Sequence, residues 1–209
     1  MRYAVKVRRN GFSVVSYAPR KAGFGLLFFL YLQARNEINV MNILDTIFSR
    51  RSVRAYADEP VSPQEVEMLL KAAMAAPSGR NIQPWRFVVV RDPQVKAKLA
   101  VGFNKMIATA PVAIVLCGQT TKESGEPNRN WTADCAAATE NLLLAAEAMG
   151  LGAVWTACYP YDERMSPAIE ALGLPGDVKP YAIIPLGRPA GEEKPKDKWR
   201  PENIHYEKW

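Results

Sequence analysis

The sequence predicts one layered domain in which helices cover a β-sheet. Two observations lead to this prediction. From residue 41 onwards, about four short apolar runs typical of buried strands alternate with segments of helical periodicity. In addition, 48% of the 209 residues are hydrophobic, which is enough for a sizeable core and argues against a disordered chain.

The first predicted helix begins just after Met41 and runs into a cluster of arginines. Its apolar face is formed by Ile43, Leu44, Ile47 and Phe48. The second helix begins at a capping box, Ser62 to Glu65, with proline at its first helical position, and ends at Pro77. A buried strand over residues 86–90 comes next.

The remaining elements follow in a regular order. Asp92 and Pro93 cap a short helix, and Gly150 and Gly173 end two longer ones. The predicted spans are a strand at 112–117, a surface loop at 118–130, a helix at 131–149, a strand at 153–159, a helix at 162–172, a strand at 181–187 and a polar tail at 188–209. This alternation predicts helices packed over a sheet.

Residues 1–40 differ from the rest of the chain in charge. They hold seven basic side chains and one acidic one, whereas residues 41–209 hold twenty of each. The net charge of +6 therefore belongs to this N-terminal extension. The balanced remainder carries no electrostatic signature for DNA or RNA, so we expect no nucleic-acid partner.

The extension also contains an apolar run, Phe24 to Leu32, about half as long as the ~20 residues that a bilayer span needs. Three interpretations stay open for residues 1–40. They are a stretch upstream of a natural start at Met41, an ordered strand or helix packed on the domain, or a targeting or membrane-surface segment. For residues 41–209, the predicted domain, we expect no membrane association.

Cysteine and histidine usage excludes several kinds of site. The three cysteines are scattered without a Cys-x-x-Cys pair, which disfavours a disulfide framework or a zinc site and suits a reducing, cytoplasmic compartment. His205 is the single histidine, so Ser-His or His-metal catalysis is improbable. We therefore predict no metal site.

A cluster of cations follows the first helix. Arg50, Arg51 and Arg54 lie within five residues, together with the hydroxyl of Ser52. Guanidinium groups bind a phosphate monoester through charge-assisted, often bidentate hydrogen bonds. If helical geometry persists through the cluster, Arg50 and Arg54 share a face. The cluster predicts a phosphate clamp, and the alternative is a solvated helix end where cations favour the C-terminal dipole.

A loop bounded by Pro77 and Pro84 follows the second helix. Its polar and small residues are Ser78, Gly79, Asn81 and Gln83. The Asn and Gln amides each offer a donor and an acceptor, which match the uracil-like edge of a flavin, and the prolines reduce the entropy lost on binding. The clamp and the loop together suit a ligand with a phosphate at one end and a flat heteroaromatic at the other, and FMN is such a ligand. The alternative for the loop alone is an ordinary helix-to-strand turn whose amides bond the backbone.

From Met41 to its end, the chain resembles the nitroreductase family of FMN-dependent oxidoreductases. The resemblance rests on the ordered pair of runs Arg50 to Arg54 and Pro77 to Trp85, with support from Gly150 to Trp155 and Lys198 to Pro201. It implies an α+β domain of three α-β-α layers, with a mainly antiparallel central sheet flanked by helices. It also implies an intertwined homodimer with two FMN molecules at its interface.

The resemblance also implies roles for individual residues. The Arg50–Arg54 segment would hold the phosphate, the ribityl chain and the pyrimidine edge, while the 77–83 loop would reach the flavin from the other subunit. Trp155 and Thr156 would lie beside the isoalloxazine ring. A basic residue of the tail would add a phosphate contact. Because the position where many relatives carry arginine is Trp199, either Lys198 or Arg200 takes that role.

The implied reaction is a ping-pong hydride transfer from NADH or NADPH, through the flavin N5, to a nitroaromatic, a quinone or a similar small-molecule electron acceptor. No protein residue is predicted to be catalytic, because the flavin carries the chemistry. Arg50 or Arg51 would stabilise negative charge at the N1–O2 edge of the reduced flavin. Ala157 occupies the position where some nitro-reducing relatives carry glutamate, so their substrate preference is not carried over.

The sequence also leaves other functions open. The same fold supports dehalogenation, flavin destruction or azoline dehydrogenation with FMN. A non-catalytic flavin-binding or flavin-storage protein would show the same two motifs.

Overall fold

A computed structural model describes residues 3–9, 12–18, 43–102 and 104–209. The chain divides into two compact units, Met1–Val40 and Met41–Trp209. In the first, β1 (Tyr3–Arg9) pairs antiparallel with β2 (Phe12–Ala18). The sequence analysis did not predict this hairpin. The apolar run from Phe24 lies outside the described residues.

The second unit is built on a five-stranded sheet with the order β3-β4-β7-β5 and β6 also paired with β7. Its strands are β3 (Trp85–Val90), β4 (Val112–Gln119), β5 (Gly152–Ala153), β6 (Thr156–Ala157) and β7 (Val178–Gly187). All four pairings are antiparallel, as predicted. The prediction of a single strand at 153–159 is wrong. Two short strands, β5 and β6, pair with β7 instead, and Val154 and Trp155 between them do not.

The helices of this unit are α1 (Ile43–Ser49), α2 (Pro63–Met74), α3 (Pro93–Leu99), α4 (Met106–Thr109), α5 (Trp131–Ala148) and α6 (Asp162–Leu172). Two 3-10 turns, Gly79–Asn81 and Pro201–Asn203, complete the described elements. The predicted capping box of α2 is confirmed: Ser62 Oγ accepts from the Glu65 amide, and Glu65 Oε2 accepts from the Ser62 amide at 2.9 Å. Gly173 ends α6 with a φ of 62°, also as predicted.

The alternating side chains of β4 show three layers. Val112, Ile114 and Leu116 belong to a core shared with α2 and α5. Ala113, Val115 and Cys117 belong to a second core shared with α3, α4 and α6. Because successive side chains of a strand point to opposite faces, the helices lie on both sides of the sheet. The predicted α-β-α arrangement is confirmed.

Helix α1 differs from its prediction in two respects. It ends at Ser49, so the arginine cluster is not helical. Its predicted apolar face is exposed, with 65% of Ile43 and 72% of Phe48 accessible, and Thr46 is the buried residue of this helix. None of the described helices combines the length and apolarity needed to cross a membrane.

Candidate functional site

The arginine segment is held in an extended conformation by the sheet. Ser52 forms a parallel bridge with Ala153 of β5, and the Val53 amide donates to the Ala153 carbonyl at 3.0 Å. Gly152 permits this approach, since a Cβ built there would lie 2.5 Å from Cγ1 of the fully buried Val53. The segment pairs with β5 instead of continuing α1, so the expectation that Arg50 and Arg54 share a helical face is wrong.

Two of the three arginines are paired with carboxylates of α5. Arg50 Nε lies 3.2 Å from Glu140 Oε1, near the surface. Arg51 Nη1 donates to Oε1 of the buried Glu147 at 2.5 Å. The Nε of Arg51 is itself buried and has no hydrogen-bond acceptor among the described residues. A buried donor without an acceptor among the described residues is satisfied by an ordered water or by a ligand.

Arg54 is the arginine with the least compensated charge. Its side chain is exposed and donates from Nη1 to the Ser52 carbonyl at 3.3 Å. In the described part of the chain, no carboxylate lies within ion-pair distance of it. Arg54 therefore presents the net positive charge of the segment to solvent or to a ligand.

The β5–β6 turn lies directly beside this segment, because Ser52 and Val53 pair with Ala153. Trp155 is half-buried, and its ring meets the ring of Tyr181 edge to face at 5.7 Å. Thr156 is buried, and its hydroxyl donates to the Ile183 carbonyl. The structure thus brings together two of the predicted groups, the arginine segment and residues 155–156.

The 77–83 loop has a strained backbone that is stabilised by hydrogen bonds within the loop. Arg80, Asn81 and Gln83 have φ values of 54°, 57° and 52°, a region that costs non-glycine residues on the order of 1–3 kcal/mol each. Hydrogen bonds within the loop stabilise its conformation. The backbone amide of Gln83 donates to Ser78 Oγ at 3.0 Å, and the side-chain Nε2 of Gln83 donates to Asn81 Oδ1 at 2.9 Å. Backbone strain of this kind clusters at ligand-binding sites.

One contact anchors this loop to α5. The Gly79 amide donates to Asp134 Oδ1 at 2.9 Å, and Asp134 is buried in the first turn of the helix. Its other oxygen, Oδ2, is buried without a hydrogen-bond partner. A side chain at Gly79 would collide with Asn130, whose Nδ2 would lie 2.8 Å from the added Cβ. The loop therefore sits close against the N-terminal end of α5.

The loop contacts α5 at Asp134, near the start of the helix, whereas the arginine segment contacts it at Glu140, in the middle, and at Glu147, near the end. Asp134 and Glu147 are thirteen residues apart, which at a rise of about 1.5 Å per residue is about 20 Å along the helix. No hydrogen bond or ion pair in the described ranges joins the two motifs. Within one chain, the 77–83 loop and the arginine segment thus contact different residues of α5.

The loop faces open space. Two adjoining cavities of about 450 Å³ and about 530 Å³ lie between it and residues 119–130. Both cavities are lined by Arg80, Ile82, Lys122 and Asn128, and Asn81 lines the larger one. Side chains of the loop are therefore accessible to a ligand.

The tail approaches the site only at its beginning. The Ala57 amide donates to the Arg188 carbonyl, and the Ala190 amide donates to the Ala55 carbonyl, so the chain runs beside the end of the arginine segment. Lys198 is exposed, and Arg200 Nε lies 3.9 Å from Glu202. Neither contacts the arginine segment in the described part of the chain, so the choice between them stays open.

The three thiols are free and buried, and each belongs to one of the two cores. Burial raises the pKa of Cys117, Cys135 and Cys158 to about 12. They are therefore neutral and packed, not reactive. Within the described ranges, no group of three His, Cys, Asp or Glu side chains is placed to hold a metal ion.

Sequence reasoning missed the two carboxylates that anchor the motifs, Asp134 and Glu147. A signal for them existed: both interrupt a helix rich in Ala and Leu that is predicted to be buried. A buried carboxylate requires a partner. The identity of each partner depends on tertiary contacts.

The chain is similar in sequence to proteins of one known family. The model of the Nitroreductase family matches residues 47–101 and 98–188. A candidate NADH dehydrogenase/NAD(P)H nitroreductase of Archaeoglobus fulgidus is 44% identical over 171 residues, covering 79% of this chain and 98% of that relative.

Two solved structures are also similar. The first is a candidate NADH dehydrogenase/NAD(P)H nitroreductase from Parabacteroides distasonis, at 44% identity and a TM-score of 0.77, covering 81% of this chain and 99% of the other. The second is an FMN-dependent nitroreductase from Clostridium difficile, at 26% identity and a TM-score of 0.73, covering 79% and 99%.

Proposed function

Because the chain belongs to the nitroreductase family, as its sequence predicted, we propose that it is an FMN-dependent oxidoreductase that uses NADH or NADPH to reduce a small-molecule acceptor. The names of the similar proteins support both cofactors. We further propose that residues 41–209 form the FMN-binding domain, since the family match lies entirely within them.

One observation carries the proposal. In the arginine segment, the buried Nε of Arg51 lacks an acceptor and the exposed Arg54 lacks a carboxylate. Both fit an anionic ligand rich in acceptors, such as the phosphate and ribityl oxygens of FMN. Because Ser52 pairs with β5, the same ligand would extend along Trp155 and Thr156.

Each half of the site then has a distinct task. Arg54 and Ser52 would bind the phosphate, and Lys198 or Arg200 would add a cation from the tail. Arg50 or Arg51 would supply positive charge near the N1–O2 edge, although both are already balanced by glutamates of α5. Asn81 and Gln83, in their strained loop with Pro77, Ser78 and Gly79, would bind the pyrimidine edge.

We propose that two copies of the chain complete the site. The loop contacts α5 at Asp134, and the arginine segment contacts it at Glu140 and Glu147, about 9 and about 20 Å further along the helix. Because no polar contact joins the two motifs in the described ranges, the loop of one copy would complete the arginine segment of another. The exposed apolar side chains of α1 favour a homodimer. Ile43, Ile47 and Phe48 form a patch that a second copy would cover.

Bound FMN would supply the redox chemistry, accepting a hydride from NAD(P)H and passing it to the acceptor. The chain's own contribution would be to bind and orient: the guanidinium groups would fix the anionic end, and the loop amides would fix the polar edge. The acceptor would be a nitroaromatic, a quinone or a similar molecule.

Anaerobic titration tests this function. The purified protein should be yellow, and NADH or NADPH should bleach the flavin absorption rapidly. A panel of nitro, quinone and halogenated acceptors should then restore the colour at different rates. Bound FMN that neither nucleotide reduces would contradict the proposal and favour a storage protein, and a colourless protein that ignores added FMN would refute the cofactor.

A further inference from the structure

Two acidic residues of α5 are buried. Asp134 is 6% exposed and Glu147 is 7% exposed. Burying an ionised carboxylate is unfavourable unless it is paired or hydrogen-bonded. Each of these two has one such partner, and each partner belongs to one of the two motifs proposed to bind FMN.

Asp134 holds the 77–83 loop. Its Oδ1 accepts the Gly79 amide at 2.9 Å, immediately before the three residues with positive φ. The hydrogen bonds between Ser78, Asn81 and Gln83 keep the loop's shape, but they do not fix its position on the domain. Asp134 supplies an anchor from a rigid helix, with a charge-assisted hydrogen bond.

Glu147 holds Arg51 in a similar way. It accepts from Nη1 at 2.5 Å, which holds the end of the Arg51 side chain against α5. The Nε–H of Arg51 is left buried and unpaired by this arrangement. Without Glu147, the side chain of Arg51 would be free to turn toward solvent and satisfy its donors there.

We infer that Asp134 and Glu147 are positioning residues for FMN, one for each half of the site, so that α5 sets the place of both motifs. This inference rests on the proposed function. The buried, unpaired Arg51 Nε supports it, because the donor that Glu147 holds in place is one that a ligand acceptor would satisfy. The two carboxylates need not touch FMN; they act through Gly79 and Arg51.

Paired substitutions at each residue distinguish the loss of the hydrogen-bond acceptor from the loss of the negative charge. Asp134→Ala and Asp134→Asn remove the same charge, but asparagine keeps an acceptor for the Gly79 amide. Glu147→Ala and Glu147→Gln form the equivalent pair for Arg51. We expect each alanine variant to raise the Kd for FMN at least tenfold, measured by quenching of flavin fluorescence. Each amide variant should bind at least threefold more tightly than its alanine counterpart.

Matched controls exist elsewhere in the chain. Asp92→Asn alters a carboxylate that accepts two backbone amides at the start of α3, and Glu67→Gln breaks an exposed ion pair of 2.6 Å on α2. Both should leave the Kd for FMN within twofold of the wild-type value. Alanine and amide variants that bind FMN equally well, or alanine variants within twofold of wild type, would overturn the inference.

Amide hydrogen exchange in the ligand-free protein provides a second readout. Asp134→Ala should accelerate exchange at Gly79 and along the loop to Gln83, whereas a merely destabilised fold would accelerate exchange throughout the domain. Uniform or unchanged exchange would refute the role of Asp134. The exchange experiment tests the role of Asp134 even if the wild-type protein does not bind FMN. A wild-type protein that does not bind FMN would refute the proposed function, not the role of Asp134 in holding the loop.

If one of these alanine or amide variants does not fold, a variant that keeps the carboxylate replaces it. Asp134→Glu and Glu147→Asp keep the charge and displace the carboxylate by one methylene group, so they should raise the Kd at least threefold. A wild-type Kd in these variants would overturn the inference in the same way.

Discussion

Replacing Arg54 with alanine should weaken FMN binding without affecting folding. Arg54 is exposed, and its one hydrogen bond in the described structure goes to the Ser52 carbonyl at 3.3 Å, so the folded chain does not depend on it. Substitutions at such positions change the free energy of unfolding by about 0.5 kcal/mol or less. The loss should therefore appear in ligand affinity alone.

The magnitude follows from the surroundings of Arg54. A hydrogen bond to a charged group contributes about 1.5–3 kcal/mol, while a fully exposed ion pair contributes about 0.2–1 kcal/mol. Because Arg54 lies at the surface and lacks a competing carboxylate, we expect the lower part of the first range, about 1.5–2 kcal/mol. At about 1.4 kcal/mol per factor of ten, the Kd for FMN should rise about 10- to 30-fold.

Fluorescence titration of the ligand-free protein measures this effect. Arg54→Lys keeps the charge but loses the planar fork, so its Kd should be intermediate. Lys71→Ala removes an equal charge from the surface of α2 and serves as the control, with a Kd within twofold of wild type. The difference between Arg54→Ala and wild type should shrink at high salt. An Arg54→Ala protein that binds FMN as the wild type does would remove Arg54 from the site.

Three further predictions concern other parts of the chain. A protein beginning at Met41 should fold, dimerise and bind FMN, as judged by light scattering and absorbance; aggregation would assign residues 1–40 to the domain. The three buried thiols should not react with a thiol reagent at pH 8 until the protein is unfolded, because burial raises their pKa to about 12; rapid labelling of the native protein would contradict this. Burial raises the pKa of Glu65, but hydrogen bonds from Ser62 and the ion pair with Arg188 outweigh it, so the folded value lies below the ordinary 4.5. The stabilisation by Glu65 is thus present above pH 4.5 and lost as the pH falls through the folded pKa. The urea midpoints of wild type and Glu65→Gln should therefore converge as the pH falls through that pKa. A difference between the two midpoints that does not change with pH would contradict this prediction.

Local sequence signals predicted the elements whose determinants are neighbouring residues. The α2 helix begins at Ser62 because Ser62 and Glu65 bond each other's amides, and α6 ends at Gly173 because glycine adopts a positive φ at low cost. Both features are complete within a few residues. They are therefore visible in the sequence before any tertiary contact is known.

Non-local contacts explain what the sequence did not predict. The arginine segment leaves the helix at Ser49 because Ser52 and Val53 pair with β5, a hundred residues further along the chain. The residue types of the clamp were predictable from charge and spacing alone. Their partners on α5 were not, because pairing Arg51 with Glu147 requires the folded arrangement.

Subunit complementation tests most directly the claim that one flavin site is built from two chains. One chain carries Arg51→Ala and Arg54→Ala, and the other carries Asn81→Ala and Gln83→Ala, with different affinity tags so that mixed dimers are isolated. Neither homodimer should retain FMN. In the mixed dimer, one site combines both damaged halves and the other combines both intact halves, so we predict one tightly bound FMN per dimer, reducible by NAD(P)H. A mixed dimer that binds no FMN would show that both motifs must come from the same chain, and it would contradict the account.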